Sequence, residues 1–152
     1  MLPASSQLRN AIVYILIIGI ALFFLNIYAS GKLRSMVFSS QERALSDKAQ
    51  LISAALLQAD ALTASAIESS INASEELSAT RSVVTDGGGF ALYDSLEIGN
   101  AEGKLLLFPE IVTAAQGNQV VYSRYADGAI ETRAAIPLMR NGQVLGVVYL
   151  MQ

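Results

Sequence analysis

The sequence contains no cysteine and no histidine. Without cysteine there are no disulfides and no thiolate nucleophiles, and without either residue most zinc sites are excluded. The absence of histidine also removes the side chain used most often in acid–base catalysis, and any phosphohistidine. We therefore predict no metal site, no cofactor and no catalytic residue on this chain, which favours a binding, sensing or structural role.

Charged residues are also scarce, at 15% of the chain, whereas hydrophobic residues make up 53%. Ten Lys and Arg against thirteen Asp and Glu give a formal net charge of -3, and the basic residues form no patch. Nucleic acid is therefore excluded as a predicted partner, because its binding needs a concentrated positive surface. A chain of 152 residues has room for one ordinary domain, or for a smaller domain with an appendage.

The hydrophobic excess is concentrated near the N-terminus. Residues from Ala11 to Tyr28 carry no charge, and a helix of that length spans about 27 Å, close to the hydrocarbon thickness of a bilayer. Tyr14 and Tyr28 lie near its ends, where aromatic rings prefer the membrane interface. We therefore predict a transmembrane helix at 11–28 in the lipid bilayer, after a short terminus at 1–10. The alternatives are a buried core helix and a cleaved signal peptide, for which Ala29-Ser30-Gly31 offers small residues.

Residues 29–80 are predicted to form a long juxtamembrane helix. There is no proline between residues 33 and 77, and apolar side chains recur at spacings of three, four and seven, as on one helix face. These residues are Leu45, Ala49, Ile52, Leu56, Ala59 and Ala66. We predict that this stripe forms a weak parallel homodimer, weak because many of the side chains are small, or that it packs on the chain's own sheet. Asn72-Ala73-Ser74 marks a break near the end of the helix.

From residue 81 the pattern changes from helical to alternating, which predicts a sheet domain at 81–152. Strands are predicted at 82–85, 90–93, 119–125, 129–138 and 143–151, with a short helix from Pro109 to Gln116. The last strand is almost continuously apolar, so we expect it at the centre of the sheet, covered on both faces. The predicted fold class is α+β, with the long helix packed on a five-stranded antiparallel sheet.

The Asn141-Gly142 turn predicts the pairing of the last two strands. It places Ile136 opposite Val147, which puts Val147 and Tyr149 on the face that receives the long helix. A bulge at Pro137 would shift this register by one residue and move the side chains of the last strand to the opposite face.

Two segments carry a resemblance to a known family. The sequences SVVTDGGGFALYDS at residues 82–95 and AAIPLMRNGQVLGVVYLMQ at 134–152 follow a membrane helix and a long helix. In this order they resemble the single Cache domains, which are PAS-like extracytoplasmic sensor modules of bacterial sensor histidine kinases. The resemblance covers nearly the whole chain and implies a PAS-like (Cache) sheet with the last strand at its centre.

The resemblance also implies a location and a function. The sensor domain would lie outside the cytoplasm and residues 1–10 inside, an orientation that the basic residues flanking the helix leave open. Members of the family usually continue into a second membrane helix, a HAMP linker and a kinase core, so the longer parent is expected to be a two-component histidine kinase. This chain has no phosphoacceptor histidine, and Gly87-Gly88-Gly89 lacks the spacing and the lysine of a phosphate loop. We therefore expect it not to be an enzyme.

Two other classes of protein remain as alternatives. A membrane-anchored structural or protein-binding module, such as a pilin-like protein, has a similar order of elements, but residues 11–26 lack the acidic residue that pilins typically carry. An enzyme with paired carboxylates would have to use Asp86, Asp94, Glu97 or Glu102. These residues lie where turns favour aspartate and other polar side chains, so the turn interpretation is preferred.

A candidate ligand site follows from the two-residue turn at 127–128. This turn places Tyr122 opposite Arg133 and Arg124 opposite Glu131, and the resemblance implies a ligand on the sheet face away from the long helix. We predict that a guanidinium there binds a small anionic ligand bidentately, with tyrosines as walls. The predicted site residues are Arg133, Tyr122, Tyr93 and Arg124. The alternative is a solvated face with ordinary cross-strand pairs.

Overall fold

The computed structural model describes residues 4–59, 62–72 and 81–152, with side chains described at 10–28 and from 36 onward within those ranges. The chain forms two compact units, Met1–Val37 and Phe38–Gln152. The described helices are α1 (Ala4–Gln58), α2 (Ala64–Asn72) and α3 (Pro109–Ala115). The strands are β1 (Arg81–Asp86), β2 (Ala91–Asp94), β3 (Val120–Ala126), β4 (Ala129–Arg140) and β5 (Gln143–Met151).

In the first unit, α1 contains the stretch Asn10–Tyr28, which is long and apolar enough to cross a membrane. None of its 19 residues is buried. The helix predicted at residues 11–28 is therefore present, and it exposes apolar side chains on all sides, as a segment surrounded by lipid does.

In the second unit, five strands form one sheet in the order β2-β1-β5-β4-β3. Every pair of neighbouring strands is antiparallel. The α+β fold class is confirmed, and the last strand in sequence lies at the centre of the sheet, as its continuous apolar character predicts.

The β3–β4 hairpin has the predicted register. Tyr122 pairs with Arg133 and Arg124 pairs with Glu131. The turn residue Asp127 has φ 51° and Gly128 has φ 84°. Positive φ at both positions is the geometry of a two-residue turn that matches the twist of the flanking strands, which is why the turn fixes the register.

The predicted β4–β5 register is wrong by one residue. Ile136 pairs with Val148 rather than Val147, because the register shifts between Leu138 and Met139. Leu138 pairs with Gly146 and Met139 with Val144. One residue of β5 is therefore extra, and this bulge moves Val147 and Tyr149 away from the face that receives α1.

The sheet is covered on both faces by apolar clusters. One cluster joins α1 and α2 to the sheet, and the other joins α3 to the opposite face. Buried side chains of the first cluster are Leu45, Ala49, Ile52, Leu56, Ile67, Ile71, Val84, Ala134, Ile136, Leu138, Val148 and Leu150. Those of the second are Val83, Ala91, Ala101, Ile111, Ala114, Ala135, Val147 and Tyr149. Each large apolar side chain buried in this way stabilises the fold by about 1.5–3 kcal/mol, so both layers hold the sheet together.

The single long helix predicted at residues 29–80 is wrong, because α1 ends at Gln58 and α2 is a separate helix. The Nη2 atom of Arg140 donates hydrogen bonds to the carbonyl oxygens of Leu57 at 2.8 Å and Ala59 at 2.9 Å. These bonds satisfy carbonyls that the end of a helix leaves unpaired. Thr63 then starts α2 by accepting a hydrogen bond from the Ala66 N–H at its Oγ1.

The break between α1 and α2 allows α2 to pack against the sheet, which a straight continuation of α1 would not reach. Its buried residues Ile67 and Ile71 join the cluster beneath α1. The last residue of α2 is Asn72, at the predicted break, and residues 73–80 lie outside the described part of the chain. The stripe predicted on one helix is therefore divided, with Ala66 on α2 rather than α1.

Candidate functional site

The predicted site lies where α3 covers the sheet, and its central residue is a glutamate of α3. Glu110 Oε1 accepts a hydrogen bond from the Tyr122 hydroxyl and another from Arg133 Nη1 at 3.0 Å. Arg133 also donates from Nε to Glu131 Oε1 at 2.8 Å, and its Nη2 lies 2.6 Å from the same oxygen. Two carboxylates therefore share one guanidinium on this face.

Local sequence positions Glu110. Pro109 is the first residue of α3, where its missing N–H costs nothing, and Glu110 follows in the first turn, where an acidic group is favourable. Ile111 and Ala114 are buried against the sheet. Because these neighbours anchor the helix, Glu110 is only 5% exposed.

The network keeps its charges at neutral pH. Burial alone would raise the pKa of Glu110, but hydrogen bonds from Tyr122, from the backbone N–H of Glu110 itself and from Arg133 outweigh it and lower that pKa below its usual value. Burial opposes the charge of Arg133, yet hydrogen bonds to Glu131 and Glu110 raise its pKa. Burial also raises the pKa of Tyr149 to about 12, so this hydroxyl stays protonated.

Three of the four predicted site residues come together. Tyr122 and Arg133 meet at Glu110, and Arg124 joins them through Glu131, to which its Nε donates at 2.7 Å. Arg124 is 51% exposed, so its pair with Glu131 is the ordinary cross-strand contact that the sequence offered as the alternative.

Tyr93 does not lie with the other three. It pairs with Val84, and both residues belong to the cluster beneath α1 and α2. Burial raises the pKa of Tyr93, and the next contribution comes from Glu68 of α2. The register of the β1–β2 hairpin shifts between Val84 and Thr85, a shift that a glycine-rich turn does not reveal in the sequence. Tyr93 is therefore not a wall of this site.

Glu110, the centre of the network, is not among the site residues predicted from the sequence, although it falls in the first turn of the short helix predicted from Pro109 to Gln116. Its signal is the order Pro-Glu followed by apolar Ile111 and Ala114, which turns one helix face toward the sheet. The pattern does not predict the hydrogen-bond partners of Glu110, because Tyr122 and Arg133 reach it from strands that follow it in the chain.

Two of the four acidic residues considered for catalysis, Asp86 and Asp94, form turn contacts. Asp86 Oδ1 accepts hydrogen bonds from the N–H groups of Gly88 and Phe90. Asp94 accepts from the N–H groups of Leu96 and Ala101. These bonds support the turn interpretation. Among the described residues, no group of three or more acidic side chains is placed to hold a metal ion.

Comparison with known proteins gives a fold likeness. No protein family matches the sequence, and no curated protein matches it. Nine chains of solved structures match, among them the sensor domain of the V. cholerae histidine kinase DctB, at a TM-score of 0.52 and 15% identity. The alignment covers 91% of this chain, which spans 57% of the length of that domain. At this identity the likeness shows the fold alone.

Proposed function

We propose that this chain is the extracytoplasmic signal-sensing region of a membrane-bound two-component sensor histidine kinase, built as a single Cache domain. It binds a small ligand, or responds to a cue in the cell envelope, and passes the response to α1. The observation that carries the proposal is the match of 91% of the chain to a histidine kinase sensor domain. The candidate span Asn10–Tyr28 and the buried polar network under α3 agree with it.

In this proposal residues 11–28, within the apolar stretch Asn10–Tyr28, form a retained membrane anchor. Residues 1–10 lie in the cytoplasm and the sheet domain outside it. The uncharged surface of the span supports insertion, because every apolar side chain exposed there would otherwise face water.

The described contacts offer a route from the sheet to α1. Glu42 Oε1 of α1 accepts a hydrogen bond from the Ser123 N–H of β3 at 2.8 Å. Gln119 Nε2 donates to Ser46 Oγ of α1 at 2.9 Å. Near the C-terminal end of α1, Arg140 of β4 donates hydrogen bonds to the carbonyl oxygens of residues 57 and 59. A displacement of β3 or β4 would therefore act on α1 at several points.

We also propose a weak homodimer through α1, on a different face from the stripe predicted by the sequence. Leu45, Ala49, Ile52 and Leu56 are buried against the chain's own sheet, so they are occupied. A neighbouring side of α1 exposes Leu51, which is 69% exposed, together with exposed alanines at 44 and 55. These residues recur at spacings of seven and four, which suits a helix pair, and the small alanines limit its strength.

The parent protein provides the simplest test of the sensing proposal. We expect the coding sequence after codon 152 to encode a second membrane helix, a HAMP linker and a kinase core with its phosphoacceptor histidine. A stop codon at that point, or a continuation without a second apolar helix, would contradict the proposal and favour the structural or protein-binding alternative.

A further inference from the structure

In its contacts with other side chains, Glu110 uses only one of its two carboxylate oxygens. Oε1 accepts hydrogen bonds from Tyr122 and Arg133, whereas Oε2 is buried and has no hydrogen-bond partner among the described residues. The side chain is 6% exposed, so bulk water does not compensate. A buried acceptor without a donor lowers stability, and native proteins keep few of them. The free oxygen of Glu110 therefore points to a donor that is not part of this network.

The charges around the oxygen favour a cation as that donor. Arg133 is 17% exposed and is shared by Glu110 and Glu131. Arg124 pairs with Glu131 at 2.6 Å but is 51% exposed, so its charge is largely screened by water. Apart from Arg124, the network contains two carboxylates and one guanidinium, with Glu110 buried and Glu131 21% exposed. Since the pKa of Glu110 is lowered, the group is ionised at neutral pH and has no proton of its own to place on Oε2.

Aromatic rings accompany the carboxylate. Tyr149 lies near enough to Glu110 and Arg133 for their charges to act on its hydroxyl. The ring of Phe108, two residues before Glu110, stacks on Tyr149 with centroids 5.9 Å apart, and Tyr122 supplies a third ring. Aromatic faces attract ammonium groups, and an ionised carboxylate binds them through charge-assisted hydrogen bonds. Together these are the groups that recognise an organic amine.

We propose that Oε2 of Glu110 binds the ammonium group of a small amine ligand, beside Tyr122, Tyr149 and Phe108. The inference rests on the proposed sensing function. It names the class of ligand as an organic cation bound at Glu110, whereas the sequence predicts an anion bound at Arg133. Because Oε2 is buried on the first turn of α3, the ligand reaches it only when this turn moves relative to β3 and β4. Binding is thereby coupled to a change in the contact between α3 and the sheet.

The test uses the full chain in detergent micelles. Thermal stability and binding heat are measured with n-butylamine and putrescine, and with n-butanol and butyrate as matched compounds that lack the ammonium group. We expect saturable stabilisation by the amines and none by the alcohol or the carboxylate. Glu110→Gln retains the shape and an acceptor but removes the charge, and should weaken amine binding by about 10-fold or more. Glu97→Gln, on an exposed loop, is the matched control and should bind as the unchanged chain does.

The outcomes separate this proposal from the sensing function. The preference for butylamine over butanol is measured on the unchanged chain, so the test stands even if Glu110→Gln fails to fold. Binding of butyrate but not of the amines would overturn the amine site while leaving a sensor that uses Arg133. A crystal structure with only an ordered water on Oε2, together with no binding of any amine, would also overturn it. A failure of the sensing function is detected separately, in the coding sequence after codon 152.

Discussion

The guanidinium of Arg81 holds the carboxylate of Asp94 through two atoms, with Nε 3.2 Å from Oδ1 and Nη2 2.7 Å from Oδ2. Arg81 is the first residue of β1 and Asp94 is the last residue of β2, so the pair closes the open end of this hairpin. The same carboxylate binds the N–H groups of Leu96 and Ala101, which fixes the chain that follows β2. Asp94 thus joins an edge of the sheet to the loop leading toward α3.

Replacing Asp94 with Asn should destabilise the fold and remove part of its acid sensitivity. Burial alone would raise the pKa of Asp94, but the hydrogen bonds from Arg81 and the backbone lower it. The stabilisation is therefore present above the unfolded pKa of about 4 and is lost as the pH falls through the lower folded pKa. We expect Asp94→Asn to cost about 2–4 kcal/mol in chemical denaturation at pH 7, and less at pH 2.

Asp86→Asn is the matched control for this prediction. Asp86 accepts its backbone hydrogen bonds at Oδ1 in an exposed turn, where an amide oxygen can replace the carboxylate. A cost equal to that of Asp94→Asn, or an Asp94→Asn cost that does not shrink in acid, would show that the ion pair is not the stabilising contact.

Gly146→Ala should be more harmful than Gly142→Ala, although both glycines belong to the β4–β5 hairpin. A Cβ atom on Gly146 would collide with the carbonyl oxygen of Thr85 on β1, whereas one on Gly142 meets open space. Overpacking against backbone should cost about 3 kcal/mol. Gly142 has φ 78°, so alanine there should cost only about 1–2 kcal/mol from backbone strain. Equal midpoints in urea denaturation would argue against the close approach of β1 and β5.

The β3–β4 and β4–β5 hairpins show how much of the fold can be predicted from the sequence. The Asp127-Gly128 turn determines the β3–β4 register because no bulge follows it. The Asn141-Gly142 turn fixes only the pairs next to it, and the bulge beyond Met139 then reverses the face of every later residue of β5. The bulge places the buried Leu138 opposite Gly146, where a Cβ atom would collide with the carbonyl oxygen of Thr85 on β1. The local sequence pattern therefore predicts the strands and their order better than it predicts which face of the sheet each side chain occupies.

The candidate site was predicted in part for the same reason. Local turn chemistry brings Tyr122 opposite Arg133, and the structure confirms that pair. The third member, Glu110, and the placement of Tyr93 on the opposite face both depend on how α3 and β2 pack against distant strands. The spacing of residues along the chain does not predict those contacts.

The proposed topology predicts that the β3–β4 turn is accessible from outside the cell. The chain has no native cysteine, so Asp127→Cys introduces a single thiol at an exposed position. We expect an impermeant maleimide to label it in intact cells, after permeabilisation of an outer membrane where there is one. A cysteine at Ser5 serves as the cytoplasmic control and should react only after lysis. Labelling of the residue 127 variant only after lysis would reverse the orientation.

The proposed dimer predicts a helical pattern of disulfide crosslinking along α1. Single cysteines at Ala44, Leu51 and Ala55 lie on the exposed face and should crosslink in membranes under mild oxidation. Ala49, which is buried against the sheet, provides the low-yield control. A flat profile across the four positions would contradict a specific contact through this face.

The most direct test of the sensing function joins residues 1–152 to the second membrane helix, HAMP linker and kinase core of a histidine kinase that controls a reporter gene. Reporter output is then measured in cells exposed to primary amines, to the matched alcohols and carboxylates, and to changes in external pH. Our account predicts that at least one condition changes the output several-fold, and that the change is absent when the sheet domain, residues 81–152, is deleted. The same output under every condition, from a fusion that is inserted and phosphorylates its response regulator, would contradict it.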